Sequence, residues 1–254
     1  VTPVPRARAT LDLRGGLAAL ARTPGDPVTV PVRESRSVKD AVESVGIPHT
    51  EVGAVAVDDE PVDWGHRLVG GERVEVHPVE GVPPGWPVPV AARPPEPRRF
   101  VVDVHLGTLA RRLRLLGFDT WWRNDADDPD LARRGRDEHR ILATRDRQLL
   151  MRREVRHGVL VRSQDPDLQV VQVVARYGLA SRARPRSRCV RCNGRLVPAE
   201  PAEVMPALEP GTRAAAPDRF ARCRACGQVY WPGAHDDALE RLVRRAVDDP
   251  GRTP

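Results

Sequence analysis

Two sets of residues in this chain are of types that do chemistry. The first is a set of thiols. Cys189-Val-Arg-Cys192 and Cys223-Arg-Ala-Cys226 hold all the cysteines of the 254-residue sequence, with 30 residues between the inner members. A CxxC turn aims two thiolates at one point, and two such turns complete the tetrahedral shell of a structural zinc. Cys192 is followed by Asn193-Gly194 and Cys226 by Gly227. These residue types accept the positive φ that turns backbone amides toward thiolates. The spacing therefore predicts a closed Zn²⁺ site in a zinc ribbon. An iron centre or two incidental reduced turns are the competing readings. His235 lies close to the second turn but is not needed as a ligand.

The second set is acidic. Asp103 ends the apolar run Phe100-Val-Val, Asp146 follows Ile141-Leu-Ala-Thr144, and Asp128 stands before Pro129. If the two apolar runs are neighbouring parallel strands, their carboxyl ends share the edge where open α/β sheets bind ligands. Carboxylates gathered there repel one another unless a cation joins them. Hard oxygen donors select Mg²⁺ or Mn²⁺. Such ions polarise phosphodiesters and generate hydroxide, so the expected chemistry is metal-assisted hydrolysis of a nucleic-acid backbone. A lone carboxylate in an apolar strand is costly, which favours a site role for Asp103. Asp146 and Asp128 each also suit a helix N-cap. Asp125, Asp127 and Asp130 crowd the same loop as Asp128 and compete with it. Thr144 and Arg145 are candidate contacts to substrate phosphate. His105 is expected to pack at a helix start.

Strand and helix alternate around these acids. Strands are expected over 100–104, 119–122, 141–144 and 159–161. Helices are expected after Asp103, from Asp128-Pro129, over 147–154 and over 168–177. The first helix buries Leu106, Leu109, Ala110, Leu113 and Leu116, with Arg111, Arg112 and Arg114 on the opposite side and Gly117 as its stop. This alternation predicts a parallel sheet flanked by helices. Ahead of it, strands at 9–13, 28–32, 54–57 and 74–76 surround one helix capped by Ser37 and ended by Gly46, a small α+β roll. Seven prolines between Gly81 and Arg98 separate the two parts. The expected domains are 1–80, a linker at 81–98, 99–182, the ribbon at 183–235, and a terminal helix and tail at 236–254.

Composition narrows the class. The net charge is +6, carried almost wholly by arginine, since Lys39 is the only lysine. An arginine-rich composition discounts that global charge. Six arginines and no acid between Ser181 and Arg195 are a better candidate for a phosphate footprint, weighed against a solvated linker. Four cysteines are too few for a disulfide scaffold. The sequence shows neither a leader pattern nor an apolar run of membrane-spanning length, so a cytoplasmic protein is expected, with no membrane partner.

The roll, with the phrase Gly46-Ile-Pro-His49-Thr-Glu51-Val52, resembles the β-grasp (ubiquitin-like) fold and is similar to sulfur carriers of that fold. Such carriers end in a free Gly-Gly, whereas here the chain runs on, so a docking module that binds a protein partner fits better than a carrier. The run from Phe100 through Asp103, Gly107 and Gly117 to Asp119-Thr120 resembles the Mut-7 C-terminal ribonuclease family. So do Arg140-Ile-Leu-Ala-Thr144-Arg145-Asp146-Arg147, the two CxxC turns, and Tyr230-Trp231-Pro-Gly-Ala-His235. The resemblance implies a PIN-like nuclease domain, a zinc ribbon after it and a β-grasp domain before it. It implies a divalent-metal-dependent ribonuclease acting on RNA, with the family's acids carried onto Asp103, Asp146 and Asp128. The sequence departs from the family at Arg134-Gly135-Arg136, where Gly135 weakens a helix by about 1 kcal/mol. A non-catalytic RNA-binding adapter, using the ribbon and the arginine run, is the alternative from another functional class.

Overall fold

The computed structural model describes residues 7–22, 25, 27–32, 36–208 and 219–231. His235 and the helix expected over 237–247 lie outside them. The chain divides into two compact units. One comprises residues 1–94, 132–138 and 144–160, and the other 95–131, 139–143 and 161–254.

In the first unit, β1 (Arg8–Leu13), β2 (Val28–Pro31), β3 (Val52–Val57), β4 (Glu60–Val62) and β5 (Arg73–Pro78) form a sheet in the order β2-β1-β5-β3-β4. β1 and β5 run parallel and the other pairs antiparallel. This is the β-grasp arrangement. Helix α1 (Val38–Ser44) covers the sheet. Ser37 begins it with a capping box: its hydroxyl accepts the Asp40 amide, and the Asp40 carboxylate accepts the Ser37 amide. Val38, Ala41, Val42 and Ile47 reach the core with Leu11, Val55 and Val76, all of them fully buried. Asp58 and Asp59 both take positive φ, which makes the tight β3–β4 hairpin. The proline-rich stretch is anchored to this sheet. The amides of Val90 and Ala91 bond to the Gly53 carbonyl, and the Trp64 indole donates to the Val90 carbonyl.

The other sheet runs β7 (Asp119–Trp121), β6 (Arg99–Val102), β8 (Ile141–Thr144), β9 (Gly158–Leu160). β6 is parallel to both β7 and β8, with Val101 facing Trp121 and Leu142. α2 (Gly107–Leu115) and α5 (Pro166–Arg176) pack together on the second unit. Between the strands run α3 (Asp128–Asp137) and α4 (Arg147–Leu150). β6 stops at Val102, and Val104–Leu106 turn as 3₁₀ helix. α4 is a single turn that ends four residues short of the helix expected to reach Glu154, because the chain leaves it to bury Val155. The ribbon sheet is antiparallel, in the order β10 (Leu196–Ala199), β11 (Phe220–Cys223), β12 (Val229–Tyr230). No helix among the described residues is long and apolar enough to cross a membrane.

Candidate metal centre and acidic site

The cysteine cage is built by two matching turns. The Cys189 amide donates to the Gly194 carbonyl and the Asn193 amide to the Cys189 carbonyl; Cys223 pairs in the same way with Gln228 and Gly227. Asn193 and Gly227 both hold positive φ, as their residue types allow. The four sulfurs lie within 4.8 Å of one another. Burial pushes the Cys189 thiol up, but the Tyr230 hydroxyl 3.1 Å away and the Cys192 and Arg191 amides outweigh it, bringing the thiol down to about 7. Burial and the neighbouring sulfurs push Cys192 up to about 12. Cys189 ionises readily while Cys192 resists. A dication would let all four thiols ionise together, and the all-sulfur set fits an ion such as Zn²⁺. Among the described residues this is the group of metal-ligating side chains gathered tightly enough to hold an ion. Tyr230 serves the cage as a partner of Cys189.

The ribbon's first turn is joined to the parallel sheet by Arg114, Asn193 and Asp119. Arg114, expected on the outer side of α2, is 4 % exposed. Its guanidinium donates to the carbonyls of Thr120 (2.9 Å), Val190 (3.0 Å) and Arg191 (3.1 Å). Those bonds offset the cost of burying the charge, and burial lowers its pKa against the pull of Cys192 and Cys189. A signal was present: Arg114 follows Ala110 by four residues and so shares its buried face. Asn193 completes the free edge of β7. Its carbonyl oxygen accepts the Thr120 amide at 3.0 Å and its amide donates to Asp119 at 2.9 Å. Asp119 also accepts from Arg140 at 2.7 Å and from Arg188 at 3.2 Å. Burial raises the Asp119 carboxyl, but Arg140, Asn193 and Arg188 together hold it below the usual carboxylate value.

The acids are placed as follows. Asp103 is 7 % exposed and follows β6 directly; its amide donates to the Ala143 carbonyl of β8 at 3.0 Å. β8 continues through Thr144 and Arg145 to Asp146, which is exposed and caps α4, accepting from Gln148 at 2.7 Å. The Thr144 hydroxyl is buried and accepts the Asp146 amide at 2.9 Å. Arg145 is exposed, as is His105. Asp128 is exposed and is the first residue of α3. The cap expected of Asp128 is made by Asp127, whose carboxylate accepts the Asp130 amide at 2.8 Å. Asp125 is paired with Arg123. In the arginine run, Arg182 pairs with Glu96 and Arg188 with Asp119, so part of that charge is structural.

A parallel sheet flanked by helices, a β-grasp domain before it in the chain and a ribbon carrying four clustered cysteines after it are the parts of the fold. The chain belongs to the Mut7-C RNAse domain family, whose model matches residues 98–243. The Mut7-C ubiquitin model matches residues 17–82. No curated protein and no solved structure matches the chain. Family membership supports a nuclease-type function with RNA as substrate.

Proposed function

We propose that this protein is a divalent-metal-dependent ribonuclease that hydrolyses RNA phosphodiester bonds, with Asp103, Asp146 and Asp128 as its acids. The observation that carries this reading is the buried carboxyl of Asp103 at the end of a central parallel strand. Burying a carboxylate is unfavourable, and such groups are kept where a charge is used. Asp146 is paired with it in this reading because each acid follows an apolar strand in sequence, Asp103 after β6 and Asp146 after β8, and strand ends are where open parallel sheets bind ligands. Bound Mg²⁺ or Mn²⁺ would supply a nucleophilic hydroxide and stabilise charge on the leaving oxygen. Asp103 and Asp146 would hold the ion, Asp128 would join from α3, and Thr144 would steady the turn before Asp146. Arg145, exposed beside Asp146, is suited to a phosphate oxygen as a planar fork of donors. The four thiolates would hold Zn²⁺ in a closed shell with a structural task.

The test is cleavage of mixed-sequence RNA by the purified chain. Activity is expected with Mn²⁺ or Mg²⁺ and is expected to vanish with EDTA. Asp103→Asn and Asp146→Asn should each reduce the rate by at least about a hundredfold, as losing several kcal/mol of metal-borne stabilisation implies, with unchanged thermal unfolding. Full cleavage by Asp103→Asn would refute the assignment.

A further inference from the structure

The ubiquitin-like domain has polar groups engaged by a later stretch of its own chain. The carbonyl of Leu20, last residue of the 3₁₀ turn Gly15–Leu20, accepts from the Arg147 guanidinium at 2.5 Å. His49 faces the Val155 carbonyl at 2.8 Å through Nε2 and the Glu43 carboxylate at 2.7 Å through Nδ1. Glu51, only 2 % exposed, accepts the Leu160 amide at 2.9 Å. The stretch from Arg147 to Leu160 is thus tied at its start, middle and end.

We propose that the ubiquitin-like domain acts in cis as a clamp on the Asp146 turn, with Arg147 as the positioning residue. The functional half of this inference rests on reading Asp146 as a site acid. α4 is one turn of four residues, far shorter than a helix that holds itself. Asp146 caps it through the Gln148 and Leu149 amides. The direction of that carboxylate therefore depends on what fixes the turn from outside, and Arg147, its first residue, is fixed by Leu20. A helix-end carbonyl is an orphan acceptor, and a guanidinium is a suitable donor to it. His49 holds the exit from the same turn, since Val155 follows α4 closely in sequence.

The experiment uses the full chain with Arg147→Met, which keeps an unbranched stem but no donors, and with Arg147→Lys, which restores one donor group. Amide exchange is read at Gln148 and Leu149, and cleavage is read against Mn²⁺ concentration. Arg147→Met should speed exchange at both amides roughly tenfold, the size of a lost hydrogen bond to a charged group. It should raise the half-saturating Mn²⁺ by a similar factor while leaving the rate at saturating Mn²⁺ unchanged. Arg147→Lys should fall between the two. Unchanged exchange and unchanged metal dependence in Arg147→Met would overturn the clamp. If Arg147→Met does not fold, His49→Ala replaces it, with faster exchange expected at Gln148 and Leu149 and unchanged exchange counting against the clamp. Should the unaltered chain show no metal-dependent cleavage, the nuclease reading fails, and the exchange result alone decides whether the clamp exists.

Discussion

Asp119 gathers three side-chain donors of the second unit. Arg140, Arg188 and Asn193 all donate to it, so one carboxylate links β7, the approach to β8 and the first cysteine turn. Its folded pKa is depressed against the pull of burial, chiefly by Arg140 and Asn193. The sign follows directly. The stabilisation is fully present above the ordinary carboxyl value of 3.8 and is lost as pH falls through the lower folded value. Asp119→Asn should therefore lower stability by about 1–3 kcal/mol at neutral pH, because charge-assisted hydrogen bonds become neutral ones. It should also flatten the acid side of a plot of melting temperature against pH, where pH falls below the ordinary carboxyl value of 3.8. A variant that melts at the same temperature as the unaltered chain at pH 7 would show that Asp119 is a bystander. Arg114 carries the complementary charge. Arg114→Met keeps much of the apolar stem and removes three donations, leaving the Thr120, Val190 and Arg191 carbonyls short of a partner. The expected loss is about 2–4 kcal/mol by urea unfolding, at the upper end of ordinary single-site effects.

Elements were readable wherever their cause is local. Ser37, Gly46 and the alternating valines of β5 each announce the β-grasp roll within a few residues of themselves. The buried strands β6 and β8 were plain as short apolar runs, and with them the positions of Asp103 and Asp146 at strand ends. What was hidden depends on long-range closure. Asn193 meets Asp119 across 74 positions, and Glu51 meets Leu160 across 109, distances over which periodicity carries no signal. The length of α4 was misjudged for the same reason, since its end is set by Val155 packing away from it. Gly117 stands between the two cases. Its stop at the end of α2 was expected from residue type, and its φ is +92°. A Cβ there would lie 2.2 Å from the Arg184 carbonyl oxygen, which no shift of a flexible side chain relieves. Gly117→Ala should thus do more than strain one residue. It should push the 184–187 segment off α2, where the Arg184 amide bonds to Leu116, and cost upward of about 2 kcal/mol. Urea midpoints of Gly117→Ala and of the distant Gly71→Ala, also at positive φ but with open space around it, separate steric clash from backbone strain.

On the scale of the whole molecule, the first cysteine turn and the parallel sheet of the second unit are joined by the hydrogen bonds of Arg114 and Asn193. The ribbon strands are short and only partly buried, so a bound ion would contribute much of what holds them. The first cysteine turn is in turn the surface to which Arg114 donates and from which Asn193 completes β7. A bound dication with four thiolates leaves two net negative charges, and the nearby Arg114 and Arg188 offset that charge as well as satisfying carbonyls. Removing the ion should therefore be felt at β7. With a strong chelator, the Thr120 amide, which donates to Asn193, should exchange faster together with Cys223 and Gly227 in the ribbon. Amides of Val55 and Val74 in the β-grasp sheet of the first unit should keep their protection. Adding Zn²⁺ back should restore Thr120 and the ribbon together, and should do so more tightly as pH rises, because the thiols must release protons to bind. Tyr230→Phe should weaken that affinity roughly tenfold by removing the hydroxyl beside Cys189, in line with other losses of a ligand's outer hydrogen bond. If chelation frees the ribbon amides while Thr120 stays as protected as before, the cage is a separate appendage, and the route through Asn193 carries no stability to the sheet.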